Sequence, residues 1–205
     1  MPEDLRVTGA TKSPDAGQVL LRNYLRLIKD LVVRIGTAIA LIITAGALRG
    51  FLGWDSPFLG LLVAPAVFIF LFTVYRFMFG LAVRKCRRVL RNYPLEFRPR
   101  ISKKDAAWTQ YGDRFTLRIA DDKPGTAPLM RAIKGVGGRG WPKGTEGGVW
   151  VAGDAAFGGV AVVPGSYEML FFQPAYWDKH AQEREQAGAE RLARARQARI
   201  ERRRL

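Results

Sequence analysis

The 205-residue chain carries 33 Lys and Arg against 18 Asp and Glu, a net charge of +15, yet 48% of it is hydrophobic. That mixture is unusual for a plain soluble domain, and the length leaves room for one modest domain with extensions. A lone cysteine, Cys86, excludes an internal disulfide and any multi-cysteine metal cluster.

Charge is unevenly spread. Residues 105–174 hold seven basic and seven acidic groups, whereas 84–104 hold nine and one, and 175–205 hold nine and five. Two basic stretches therefore flank a neutral module. Such runs attract anionic lipid or nucleic acid, or are solvated face only. Arginine outnumbers lysine 24 to 9 beside abundant Ala, Gly and Val, a bias that suits a GC-rich bacterial genome.

Residues 1–17 read as a disordered N-terminus. Residues 18–34 form an amphipathic pattern, with Leu21, Tyr24, Leu25, Ile28, Leu31 and Val32 on one helical face and Arg22, Arg26 and Lys29 opposite. This predicts an interfacial helix lying on the inner leaflet. The alternative packs that apolar face on the protein's own domain.

Residues 35–83 read as a transmembrane hairpin with spans of about 31–48 and 57–76. The segment 57–75 is 19 residues without a charge, about 28 Å of helix, enough to cross the hydrocarbon. The stretch 35–48 has 14 uncharged residues and borrows Leu31–Val33. Arg34 and Arg76 would snorkel from the span ends, and Pro65 would kink the second span. Between them, 49–57 is a tight turn with Trp54 as interfacial anchor. Arg22, Arg26, Lys29 and Arg34 precede the spans, and Arg84, Lys85, Arg87, Arg88 and Arg91 follow, against Arg49 alone in the connection. The charge bias predicts a multi-pass protein of the plasma (inner) membrane with both termini cytoplasmic. Two rivals are a signal peptide cleaved after Ala45-Gly46-Ala47 and a helical hairpin buried in a soluble core. Gly36, Ala40 and Thr44, with Gly60 and Ala64, recur at four-residue spacing, which suits either hairpin closure or self-association of copies.

Residues 84–104 form a basic juxtamembrane segment entering a β domain. Within it Cys86 is a passive residue, or a lipid-modified thiol in a eukaryote. Residues 105–174 read as a small, mainly antiparallel β domain. Arg114–Ala120 alternates Phe115, Leu117 and Ile119 with polar residues, and 95–101, 128–133, 148–152, 157–163 and 167–172 are further strands. Asp121–Gly125 supplies a turn, and Pro164–Ser166 a hairpin connection. About six short strands predict a small antiparallel barrel or curled sheet.

Gly135, Gly137 and Gly140 spell G-x-G-x-x-G, but Trp141-Pro142-Lys143-Gly144 follows where a phosphate loop requires a helix start. The match reads as an inter-strand loop. Its Arg131, Lys134, Arg139 and Lys143 offer a contact for anionic headgroups or nucleic acid. His180 falls at an exposed position in the tail, Asp121 and Asp122 in a turn, and Asp113 and Asp154 at strand ends. No catalytic constellation, cofactor site or metal-ligand spacing emerges. Residues 175–205 are a helix-prone basic tail, read either as a solvated helix fraying into disorder or as a clamp on anionic lipid or nucleic acid.

The motif V-W-x-A-G-D-x-x-F-G-G-V, Val149 to Val160, set after two spans and the basic run 84–100, resembles uncharacterised two-span integral membrane proteins of actinobacteria. The resemblance implies location and architecture and carries no activity. The expectation is an α+β membrane protein: a two-helix transmembrane hairpin, a small cytoplasmic β domain and a C-terminal basic helix. Its role is that of a non-enzymatic anchor or adaptor touching anionic lipid and a protein partner or a second copy. The alternatives are a membrane tether for nucleic acid and a small subunit of a membrane enzyme or transport complex.

Overall fold

The computed structural model describes residues 13–52, 59–109, 112–120, 127–134 and 140–203. Helices α1 (Ala16–Leu52) and α2 (Gly60–Asn92) come first. Strands β1 (Glu96–Arg98), β2 (Arg100–Thr109), β3 (Gly112–Ala120), β4 (Leu129–Lys134), β5 (Val149–Asp154), β6 (Gly158–Val162) and β7 (Met169–Pro174) come next, then α3 (Ala181–Glu185) and α4 (Ala189–Ala198). The chain is α+β and divides into two compact units: Leu25–Met78, and the residues up to Tyr24 joined with those from Phe79 onward.

In the larger unit the strands form one sheet in the order β1-β5-β6-β7-β4-β3-β2, with every neighbouring pair antiparallel. The two edge strands, β1 and β2, are consecutive, and only Pro99 separates them. A sheet whose opposite edges are one residue apart must curl until those edges meet, so the expected curled antiparallel sheet is present. Its inner face holds Phe115, Leu117, Met130, Ala132, Val149, Ala161, Val163, Leu170 and Phe172. The alternation read in β3 points its apolar residues inward as expected. The strand expected over 95–101 divides at Pro99, which has no N–H for the ladder. β2 then runs on to Thr109 through a register shift between Lys103 and Asp105. Pro164–Ser166 does join β6 to β7, closed by Tyr167 N–H donating to Val163 O, while the turn expected over 121–125 lies outside the described residues.

β6 and β7 are buried on both faces. Their outer face is covered within the same unit by three segments. From α2 comes the stripe Val83, Cys86, Val89, Leu90 and Tyr93; from α1, Val19 and Asn23; from the tail, Ala195, Ala198 and Ile200, all buried. The contacts are specific: Asn23 Nδ2 donates to Tyr167 O (2.7 Å), and Gln173 Nε2 donates to Arg202 O (2.9 Å).

Two expectations are corrected by the fold. The tail is not one solvated helix: a 3₁₀ turn (Trp177–His180) and α3 are separated from α4 by residues 186–188, and the alanine face of α4 is docked. The helix expected over 18–34 is continuous with residues 35–52, because α1 has no break near residue 34. Of its expected apolar face, Leu21, Leu25, Ile28 and Val32 are at least half exposed and Tyr24 and Leu31 half-buried, while Val19 and Asn23, outside that face, are fully packed.

In Leu25–Met78, withdrawal from solvent follows a 3–4 rhythm: Leu31, Arg34, Ala38, Leu41, Ala45 and Leu48 on α1, and Leu62, Ala66, Ile69 and Thr73 on α2. That is the spacing of a helix-pair seam, and the Arg34 guanidinium lies 5.4 Å from the Phe72 ring centroid. The four-residue stripe Gly36, Ala40, Thr44, with Gly60 and Ala64, faces outward instead. Hairpin closure therefore does not use it.

Gly158 has φ +110°, and a Cβ there would lie 2.4 Å from Phe172 O. Gly158→Ala is expected to lower stability by on the order of 3 kcal/mol or more. Gly147→Ala, where a Cβ meets nothing within 4 Å, is expected to be neutral; thermal unfolding in mild detergent compares the two.

Candidate membrane and anion-contact surfaces

The exposed surface of α1 and α2 is apolar. Ile35, Ile39, Ile42, Ile43 and Phe51 on α1 and Leu61, Val67, Phe68, Phe70, Leu71 and Val74 on α2 are all exposed. A surface of this extent marks an interaction with lipid or protein. Ala16–Phe51 is long and apolar enough, by length and composition, to cross a membrane; Gly60–Val74 is apolar but shorter. Hydroxyls on these helices are satisfied internally, Thr37 Oγ1 donating to Val33 O and Thr73 Oγ1 to Ile69 O.

The basic residues expected at the membrane interface differ in their surroundings. Arg22 lies 4.5 Å from the Tyr167 ring centroid, and Lys85 5.6 Å from that of Phe171. Lys29, Arg84 and Arg87 are exposed; Arg26, Arg34 and Arg88 are half-buried. Trp54 and the side chain of Arg76 lie outside the described residues. Burial pushes the Cys86 thiol up to about 12, so it stays protonated and unreactive.

Of the glycine loop, residues 135–139, including Arg139, lie outside the described residues. Gly140 donates its N–H to the Asp113 carboxylate, so this N–H is already occupied. No α-helix starts directly after it; Trp141 packs edge-on against Phe115 and donates Nε1–H to Thr145 Oγ1 (2.7 Å). Lys143 is exposed and Arg131 half-buried on the outer face of β4. Lys134 has to be withdrawn from the anion contact. Its ammonium pairs with Glu168 at 3.0 Å, with side-chain exposures of 4% and 14%. It also donates to Gly140 O, fastening the two ends of the loop.

The remaining titratable cluster lies in the tail. Arg191 makes a bidentate pair with Asp154 (2.5 and 2.9 Å) and reaches Glu183 at 3.1 Å; His180 pairs with Glu183. The Asp154 side chain is 8% exposed and also accepts from Ala156 N–H, which fixes the β5–β6 turn. A hydrogen bond with His180, aided by Arg191, holds the Glu183 carboxyl below its usual range, and the carboxylates hold the Arg191 guanidinium firmly charged. The cluster latches the tail to the sheet. Among the described residues no group of three or more His, Cys, Asp or Glu is placed to hold a metal ion.

Sequence reasoning missed the outer face of β2, β3 and β4. Arg114, Thr116 and Arg118 occupy the polar phase of β3, and the antiparallel register sets Arg131 opposite Thr116. Its sequence signal was the arginines at alternate positions of the strand already identified.

Comparison with known proteins finds no matching family model, no matching curated protein and no matching solved structure.

Lys134→Met is expected to cost about 3 kcal/mol, because it leaves Glu168 buried and unpaired, whereas adding Glu168→Leu should recover most of the loss. Denaturant unfolding of the single and double variants measures both. For the latch, Arg191→Gln strands a buried carboxylate and is expected to expose the tail to trypsin, read as faster cleavage within 194–203. The Glu183 contribution, from a depressed pKa, is present above the ordinary carboxylate value of about 4.5 and is lost as pH falls below it. Tail protection should therefore fall on acidification from neutral pH to below 4.5, with a protease active across that range as the probe.

Proposed function

We propose that this chain is an integral protein of a bacterial inner membrane, a non-enzymatic anchor or adaptor whose α1–α2 hairpin holds the curled sheet at the cytoplasmic face. The observation that carries this reading is the extent of exposed Ile, Leu, Val and Phe on α1 and α2, which water does not favour and lipid does.

Connectivity supports the two-crossing form. Residues up to Tyr24 and from Phe79 onward build one folded unit, and one folded unit cannot lie on both sides of a bilayer. On this reading that favours an even number of crossings, with both helices spanning. The short apolar stretch Gly60–Val74 gains length from the uncharged residues that precede it in the sequence. The excess of Arg and Lys on both outer flanks over Arg49 alone in the connection supports cytoplasmic termini. The actinobacterial resemblance agrees with this architecture. The adaptor role rests on the hairpin and the sheet being joined through two chain crossings, so that whatever the sheet binds is held at the membrane.

Full-length protein is expected to stay in the membrane pellet after alkaline carbonate washing and to require detergent for release. Ile42→Arg, at an exposed apolar position of α1, adds roughly 3 kcal/mol to insertion and should move a large fraction to the supernatant. Wild-type protein released by carbonate overturns the reading.

A further inference from the structure

The outer face of the sheet is divided. Over β5, β6 and β7 it is covered by helices and tail; over β2, β3 and β4 it carries mostly polar residues, exposed or half-buried, with Ile133 of β4 buried beside the cover. Register places Arg100 opposite Ala120, Ser102 opposite Arg118, Asp105 opposite Thr116, and Thr116 opposite Arg131. Arg131 therefore sits in the notch between Arg114 and Arg118, with Arg100 on the next strand. These four arginines share one face around the hydroxyls of Ser102 and Thr116.

Among the described residues their charges are unmatched. None of the ion pairs among the described residues involves Arg100, Arg114, Arg118 or Arg131. The Nε atoms of Arg114 and Arg118 are shielded from solvent and have no hydrogen-bond acceptor. Asp105, the carboxylate that the register puts on this face, makes no ion pair among the described residues. Shielded guanidinium N–H groups without acceptors favour an anion that supplies several oxygens, which is phosphate chemistry.

The shape narrows the source. A curled sheet with its core inside presents a convex outer face, which cannot enclose a small phosphate compound but can lie against an extended anionic surface. The described outer-face positions on β2, β3 and β4 carry no exposed aromatic ring on which bases could stack, which disfavours single-stranded nucleic acid. Tethering through α1 and α2, on the membrane reading, would hold the sheet at a high local concentration of headgroup phosphates. The geometry points to the Arg100–Arg114–Arg118–Arg131 face as a docking surface for the phosphate headgroups of an anionic bilayer. This inference rests on the membrane reading proposed for the hairpin and adds to it a second, electrostatic contact made by the sheet itself.

The test uses the full chain with Thr116→Cys carrying an environment-sensitive fluorophore; Cys86 is buried and stays unlabelled. The protein is placed in nanodiscs of phosphatidylcholine alone or with phosphatidylglycerol. The expected result is a blue shift only with phosphatidylglycerol, reversed by high salt and lost in the triple variant Arg114→Gln, Arg118→Gln, Arg131→Gln, which should enter discs as well as the parent. Identical emission in the two kinds of disc overturns the inference, and that comparison needs no arginine variant. A shift produced by an added RNA oligonucleotide or by pyrophosphate, but not by phosphatidylglycerol, also overturns it by assigning the face to another anion. Failure of the parent protein to enter discs would instead count against the membrane reading. The same labelled protein would then be added to phosphatidylglycerol vesicles, where an unshifted probe overturns the headgroup assignment on its own.

Discussion

Pro99 is the residue through which the fold closes. It links Arg98, at the end of one edge strand, to Arg100, at the start of the other, across a seven-stranded sheet. With one residue between them the edges have to meet, and the whole sheet has to bend to bring them there. Curling gives the sheet an inside small enough to be filled by nine buried side chains and a plug, Trp141 against Phe115. The two edge strands come together at Pro99, while β2 beyond it pairs with β3 alone among the described strands and is exposed over residues 102–107. The division into a filled concave face and a convex outer face is a consequence of that one connection.

The outer face then has to be dealt with strand by strand. Trp150, Val160, Val162, Met169 and Phe171 lie on it and are buried, so β5, β6 and β7 need a cover. The chain supplies that cover from three separated segments, and each uses a residue type suited to a flat apolar surface. α2 contributes branched residues at helical spacing. α4 contributes alanines, whose small side chains let the helix backbone come close, with Ile200 filling the gap beyond. α1 contributes Val19 and Asn23, and Asn23 binds the carbonyl of Tyr167, a residue held at φ 54° in the β6–β7 connection.

How much of this was legible varies with the range of the interaction involved. Strand β3 announced itself through a strict alternation, and β6 and β7 through dense apolar runs, because such patterns are local. β2 was mostly missed because its register shift between Lys103 and Asp105 destroys the period of two. In residues 83–93 the charges of Arg84, Lys85, Arg87 and Arg88 dominate the composition, and they hide a stripe of Val83, Cys86, Val89, Leu90 and Tyr93 that has helical spacing. The docked tail was invisible for a different reason: alanine registers weakly as an apolar face, and its value depends on a surface supplied by distant strands. Lys134 illustrates the hardest case. Its partner, Glu168, is brought to it by the pairing of β4 with β7, and no local pattern marks a lysine whose charge is matched in that way.

The boundary of the cover is itself explained by charge. At the junction of β4 and β7, Gln173 stands opposite Arg131 and spends its amide on Arg202 O and Phe157 O. One strand further on come Arg114 and Arg118. Extending an apolar helix across them would strip water from guanidinium groups that make no ion pair among the described residues, a penalty of several kcal/mol per ion. A tail rich in alanine and arginine could not offset that, since its own charges would repel the face. The cover therefore ends where the arginines begin, and the same physics that seals one half of the convex surface keeps the other half open to water or to an anion from outside the chain.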